Sequence, residues 1–352
     1  MNPRPGPRPV RAERRLPFAL LAVAAIAALL QGCAAPMPPR PAAAPAPLES
    51  APVLARDDDF AIVIAQQGDD LPELAERYLG DRRRAWWIAE FNGVERVAPG
   101  QDVVIPLRPR NAVGVHANGF QTIPILCYHR FGSTRSKLSV TPAAFEAQMD
   151  YLARNGYRVI HLRDLPAFLQ GKEPLPQKTV IITIDVGYRS NYDIAFPILR
   201  KYGFPATVFL YSDFVGAGDA MTWAQMKEMV ASGLIEVQPH SKSHANLTLR
   251  LPGESEAKYR ERIRREIEAP TNLIKERLGL AAVSFAYPYG DVNEAVIELL
   301  AQQGTRVGVT VTPGGNGFFA PPHMLRRTMI FGNEDLEVFK SKLATFARTA
   351  AR

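Results

Sequence analysis

His240 and His244 stand four residues apart across Ser241-Lys242-Ser243, a spacing at which two imidazoles reach one ion wherever the chain is helical or tightly turned. Two histidines and a carboxylate make a common donor set for a divalent metal and leave positions open for water and substrate. The carboxylate is at hand in Asp185, which ends the apolar run Val180-Ile181-Ile182-Thr183-Ile184. His240 ends Ile235-Glu236-Val237-Gln238-Pro239 in the same way, and Ser284-Phe285-Ala286 runs into Tyr287-Pro288-Tyr289-Gly290. Polar groups thus gather where apolar runs stop. If the runs are parallel strands, their ends share one face, and that face carries the site in folds of this kind. Either histidine alone reads as a surface or hydrogen-bonding residue; paired at a strand end they read as metal ligands.

The framework that would bring these ends together is visible in the alternation of patterns. Candidate strands at 123–128, 157–162, 179–185, 206–211, 235–239, 283–286 and 306–311 alternate with helical segments near 142–154, 191–202, 222–232, 254–277, 293–303 and 334–347. Asn155-Gly156, Tyr202-Gly203, Ser232-Gly233 and Gln303-Gly304 punctuate the helix ends. This order predicts an α/β fold of parallel strands joined by helical crossovers, and a (β/α) barrel fits it better than an open sheet.

Four segments carry a family resemblance. Ile123-Pro124-Ile125-Leu126-Cys127-Tyr128-His129-Arg130 is similar to the opening strand of the poly-N-acetylglucosamine deacetylase branch. Thr183-Ile184-Asp185-Val186-Gly187-Tyr188-Arg189-Ser190 is similar to its first catalytic motif, His240-Ser241-Lys242-Ser243-His244 to its metal-binding motif, and Phe285-Ala286-Tyr287-Pro288-Tyr289-Gly290 to its third. Over 120–352 the chain resembles the polysaccharide deacetylases of carbohydrate esterase family four, the NodB-type domain. The resemblance implies a distorted (β/α) barrel that removes N-acetyl groups from glycans with a divalent ion, usually zinc. It implies Asp185 as the general base toward the water that attacks the amide carbonyl, and His240 and His244 as metal ligands. The backbone N–H of Tyr289 would face the developing oxyanion, and His129 would stand beside the site. For a general acid, His323 is a candidate, although Pro322-His323-Met324-Leu325 does not reproduce the family's Leu-x-His pattern and a loop histidine is the plainer reading.

Val186 departs from the pattern. The family has a second aspartate there as the carboxylate ligand of the metal, and valine has no donor atom. Three outcomes stay open: Asp185 or a nearby carboxylate such as Asp193 completes the metal site; the metal is weakly held and activity is vestigial; or the domain binds glycan without catalysis.

Upstream, 58–107 reads as a strand at Ile62 and Ile64, a helix capped by Asp70, a second short helix through Trp86, Trp87 and Phe91 into Asn92-Gly93, and a strand at Val103-Val104-Ile105. This small βααβ unit resembles a LysM domain, a family that binds N-acetylglucosamine-containing glycans such as peptidoglycan and chitin. For Trp86 and Trp87, core packing of at least one ring is a better reading than sugar stacking by both. The stretch 108–119, where periodicity lapses, reads as a linker.

The formal charge of +7 is concentrated at the start, where residues 1–32 hold five arginines against Glu13 alone, so only +3 remains elsewhere. That is too little to indicate nucleic acid. The uncharged run 16–30 falls short of the roughly 20 residues of a membrane-spanning helix, and with Gly32-Cys33 it resembles a lipoprotein signal peptide cleaved before Cys33, whose sulfur is then acylated. Ala34 in place of aspartate suggests outer-membrane sorting facing the periplasm. Residues 33–57, rich in proline and alanine, read as a tether. With Cys33 lipidated, Cys127 has no partner and no disulfide framework forms. The sequence is thus read as a lipid-anchored cell-envelope enzyme that deacetylates N-acetylglucosamine polysaccharide or peptidoglycan. The alternatives are a glycan-binding protein without catalysis and a hydrolase of another wall amide or acyl ester.

Overall fold

The computed structural model of the protein describes residues 52–134 and 136–349. The arginine-rich leader, Cys33 and the tether as far as residue 51 lie outside the described residues, all of which belong to one compact unit, 51–352. Among them no helix is long and apolar enough to cross a membrane.

Val53–Arg56, Phe60–Ile64 and Asp102–Pro106 form a small antiparallel sheet with Phe60–Ile64 in the middle. Alternation places Ala61, Val63, Val103 and Ile105 in its core. The helix Leu71–Leu79 begins at Asp70, whose side chain accepts the Glu73 N–H at 2.7 Å, and stops at Gly80 in the left-handed region. Ala85–Asn92 follows, and the Asn92 amide both donates to the Val104 carbonyl and accepts its N–H, tying helix to strand. The expected strand–helix–helix–strand order is present, with Val53–Arg56 added in front. All four residues of that strand are exposed, so no alternation marks it in the sequence. Trp87 is buried and Trp86 is partly so.

The larger part is built on a parallel sheet in the order Ile235–Pro239, Ala206–Leu210, Thr179–Val186, Ile123–Tyr128. Arg158–Ile160 pairs with the start of the third strand, and Thr328–Met329 with the fourth. Every residue of Thr179–Val186 is buried, as expected of a strand covered on both faces. Ser284–Ala286 and Val307–Val309 form a separate parallel pair. On one flank the Gln238 side chain replaces a ladder, accepting the Val283 and Ser284 N–H groups at 2.9 and 3.0 Å and donating to the Ala281 carbonyl. On the other flank a single bridge joins Val309 to Leu325.

The crossover helices Pro142–Arg154, Trp223–Ala231, Glu256–Leu278 and Glu294–Gln302 start at side-chain caps from Thr141, Thr222, Ser255 and Asn293. Two segments differ from the sequence expectation. The last helix ends at Ser341, and Phe346–Arg348 pairs with Gly119–Gln121, which also pairs with Val115–His116. The stretch 108–119 therefore contributes strand rather than spacer alone. The small domain touches the loop before Thr179–Val186: the Gln177 N–H donates to Glu90 at 2.9 Å, and Arg84 pairs with Glu173. That loop precedes the strand, so the contact lies at the sheet end away from Asp185.

Candidate metal and catalytic site

Asp185 lies near the C-terminal end of Thr179–Val186, His240 directly after Ile235–Pro239, His129 directly after Ile123–Tyr128, and Tyr289 in the turn after Ser284–Ala286. Parallel topology thus brings the predicted residues to one end of the sheet. Arg327, which the sequence reading passed over, joins them from the chain just before Thr328–Met329. It donates through Nη1 to Asp185 Oδ1 at 2.6 Å and through Nη2 to Oδ2 at 2.7 Å, with both side chains buried. Its Nε donates to the Thr310 carbonyl at 2.8 Å, which fixes the fork. Burial pushes the Asp185 carboxyl up, but the Arg327 charge outweighs it and His240 adds to the same effect, so Asp185 is held well below the usual carboxylate range. The only sequence signal for Arg327 is a cation beside a short strand, which ordinarily means a surface residue.

His240 is buried and its Nδ1–H donates to the Ala286 carbonyl at 2.8 Å. This fixes the tautomer and leaves Nε2 bare, 3.9 Å from Asp185 Oδ2. Burial pushes its pKa down to about 4 against the pull of Asp185. Burial also lowers His244, whose ring centroid is 4.8 Å from that of His240. Both are therefore neutral imidazoles at neutral pH, the form that ligates metals. The turn between them is not helical. The His244 N–H donates to Ser241 Oγ at 2.9 Å, and Glu266 on Glu256–Leu278 accepts the N–H groups of Lys242 and Ser243 at 3.1 and 2.9 Å. Glu266 was not foreseen either, since nothing in a charge-rich helix singles out one glutamate.

Backbone strain collects here. Val186 (φ 80), Ser241 (φ 69), His244 (φ 60) and Tyr289 (φ 64) are left-handed, and among the described non-glycine residues only Asn111 shares that feature. Val186 is the most costly case, because a β-branched side chain crowds its own backbone in this region. His129 is half-buried and its Nδ1 is buried with no hydrogen-bond partner. Cys127 Sγ, a nitrogen of His129 and an oxygen of Asp185 lie within 4.8 Å of one another. The Cys127 thiol, pushed up by burial, stays protonated and donates to Asp185 at 3.6 Å.

These donors fit a divalent cation: two neutral imidazoles, one with its tautomer set by a carbonyl, beside a buried anion and a buried unpartnered nitrogen. The position of Val186 offers hydrocarbon. Asp193 does not take its place, being exposed on the turn Asn191–Ala195. His323 is also away from the site. Its Nε2 meets the Thr305 carbonyl, before Val307–Val309 and so at the opposite end of that strand.

Residues 172–308 match the family model described as polysaccharide deacetylase. The Bacillus subtilis (strain 168) protein YxkH is 34% identical over 193 residues, covering 54% of this chain and 65% of its own length. The poly-beta-1,6-N-acetyl-D-glucosamine N-deacetylase of Escherichia coli (strain K12) is 27% identical over 263 residues, covering 65% of this chain and 39% of its own. The chain thus spans less than two thirds of either relative. The structure of IcaB from Ammonifex degensii superposes with a TM-score of 0.58 at 29% identity, covering 64% of this chain and 99% of that one. Sequence match, shared fold and the grouping of Asp185, His240 and His244 agree in one direction: over residues 172–308 the chain is similar to the polysaccharide deacetylases.

Proposed function

We propose that this protein hydrolyses the N-acetyl groups of an N-acetylglucosamine polysaccharide in the bacterial cell envelope, using a divalent cation, zinc by preference, held by His240 and His244. The observation that carries this reading is the ionised, Arg327-clamped Asp185 facing His240 within a domain similar to the polysaccharide deacetylases. When bound, the cation supplies positive charge and Lewis acidity toward the acetyl oxygen. Asp185 accepts the proton of the attacking water, and Arg327 keeps its carboxylate ionised and aimed. The Tyr289 backbone N–H donates to the oxygen on which charge develops. The incomplete closure of the sheet around Ser284–Ala286 and Val307–Val309 fits a distorted (β/α) barrel.

The small domain is read as a LysM module that holds the enzyme near its polymer, with Cys33 acylated, the proline-rich tether setting the reach and the outer membrane as anchor. A cleft of about 1250 Å³, lined in part by Asp70, Trp86, Trp87, Arg96, Arg158 and Arg163, lies beside it and apart from Asp185. The hydrocarbon of Val186 supports a second reading, a glycan-binding protein with an impaired site. Acetate release from N-acetylglucosamine oligomers, lost with chelator and regained with zinc, tests the first. Oligomer binding without acetate release under any metal supports the second.

A further inference from the structure

Three aromatic rings near the site belong to none of the apolar cores among the described residues. Tyr188, Tyr211 and Phe214 are each partly exposed, and none packs into a buried hydrophobic cluster. They touch one another and the site instead. Tyr289, itself 60% exposed, meets His244 at a centroid distance of 4.9 Å. His244 meets Tyr211 at 5.4 Å, Tyr211 stacks on Phe214 at 5.1 Å and 17°, and Phe214 meets Tyr188 at 5.5 Å. The Arg130 guanidinium lies 4.7 Å from the Tyr188 ring centre and ends the row.

The row is also held in place. The chain carrying Phe214 is fastened to the chain carrying Tyr188 by a bridge between Tyr188 and Ala220, and Arg189 donates to the Asp219 and Gly218 carbonyls. Arg130 pairs with Asp219, and Lys242 pairs with Asp213 at 2.6 Å, so the cations on the rim are matched by carboxylates. An apolar row with a polar rim of internally paired charge suits a neutral ligand with apolar ring faces and many hydroxyls. An anionic polymer would find its cationic partners already taken.

The geometry points to a sugar-binding platform formed by Tyr211, Phe214 and Tyr188, which takes the units of a neutral N-acetylamino-sugar chain next to the unit held between Asp185 and Tyr289. This inference rests on the deacetylase reading for the direction of the chain and adds to it a requirement for length. Binding energy gathered on the platform is remote from the scissile amide and serves to position it, so oligomers that reach the rings turn over better than those that do not.

The test uses the full chain with N-acetylglucosamine oligomers from dimer to hexamer, reading affinity by titration calorimetry and acetate release in parallel. Tyr188→Ala and Phe214→Ala should each lower hexamer affinity about tenfold, the scale of one aromatic contact, and leave the dimer unchanged. Phe214→Tyr, which keeps the ring, should keep hexamer preference and controls for folding together with the melting temperature. Any length preference from the small domain is common to all variants and cancels in the comparison. If folded Ala variants keep the wild-type hexamer-to-dimer ratio in both readouts, the platform is overturned, whether or not acetate appears. If no protein releases acetate but the Ala variants alone lose hexamer preference, the platform stands and the deacetylation reading falls.

Discussion

At Asp185 the sheet buries a carboxylate out of reach of bulk water, and Arg327 replaces that solvation with two short hydrogen bonds. Removing one partner of such a pair leaves a naked buried charge, so Arg327→Met should destabilise the fold by about 3–5 kcal/mol. Adding Asp185→Asn to it should return much of that loss, since no charge is then left unpaired. Urea unfolding of the single and double variants measures both effects, and a single variant as stable as wild type would remove Arg327 from the account. Val186 poses a different problem. A left-handed β-branched residue is strained by about 1–3 kcal/mol, and its φ of 80 is one that aspartate or asparagine tolerates better. The backbone at 186 is therefore already shaped for the residue that the resemblance expects. Val186→Asp suits this backbone conformation better than valine does, and it puts a second carboxylate directly after Asp185 in the chain.

Among the elements, the 240–244 turn depends on its helix. Glu266 accepts two of the turn's N–H groups and the Ser243 hydroxyl, holding a segment with two left-handed residues. Glu266→Ala should loosen it and weaken zinc binding roughly 10- to 100-fold, the usual cost of losing a group that orients a ligand; a competitive chelator titration reads this directly. Unchanged affinity would mean that the turn holds its shape alone. The same turn shows where sequence stops being informative. The strand ends carrying Asp185, His240 and Tyr289 were legible because hydrophobic runs stop abruptly there, and helix limits because Asn155-Gly156, Tyr202-Gly203, Ser232-Gly233 and Gln303-Gly304 are local signals. Arg327 and Glu266 act across 142 and 23 or 24 positions of chain, and no local pattern encodes such partners. The expected helix over 334–347 takes in Phe346 and Ala347, which instead belong to the strand Phe346–Arg348; its pairing with Gly119–Gln121 is decided by tertiary contact.

In the whole molecule, the small domain has its own core of Ala61, Val63, Leu74, Ile88, Val103 and Ile105, separate from the clusters of the larger part. Deleting 52–107 should therefore leave the larger part cooperatively folded while weakening co-sedimentation with peptidoglycan or chitin. Equal sedimentation of both forms would end the targeting role. Cys33→Ala should move the protein from the membrane to the soluble envelope fraction, and unchanged fractionation would end the lipid-anchor reading. The central claim is that the strand ends hold a metal-dependent deacetylase whose weakness is Val186. The measurement that tests it most directly is acetate release from N-acetylglucosamine oligomers by wild type and Val186→Asp, each loaded with zinc and assayed for bound metal. The account predicts release by both, more metal and faster release in Val186→Asp, and loss of both on adding His240→Ala. A Val186→Asp protein that binds one zinc per chain and still releases no acetate would contradict it.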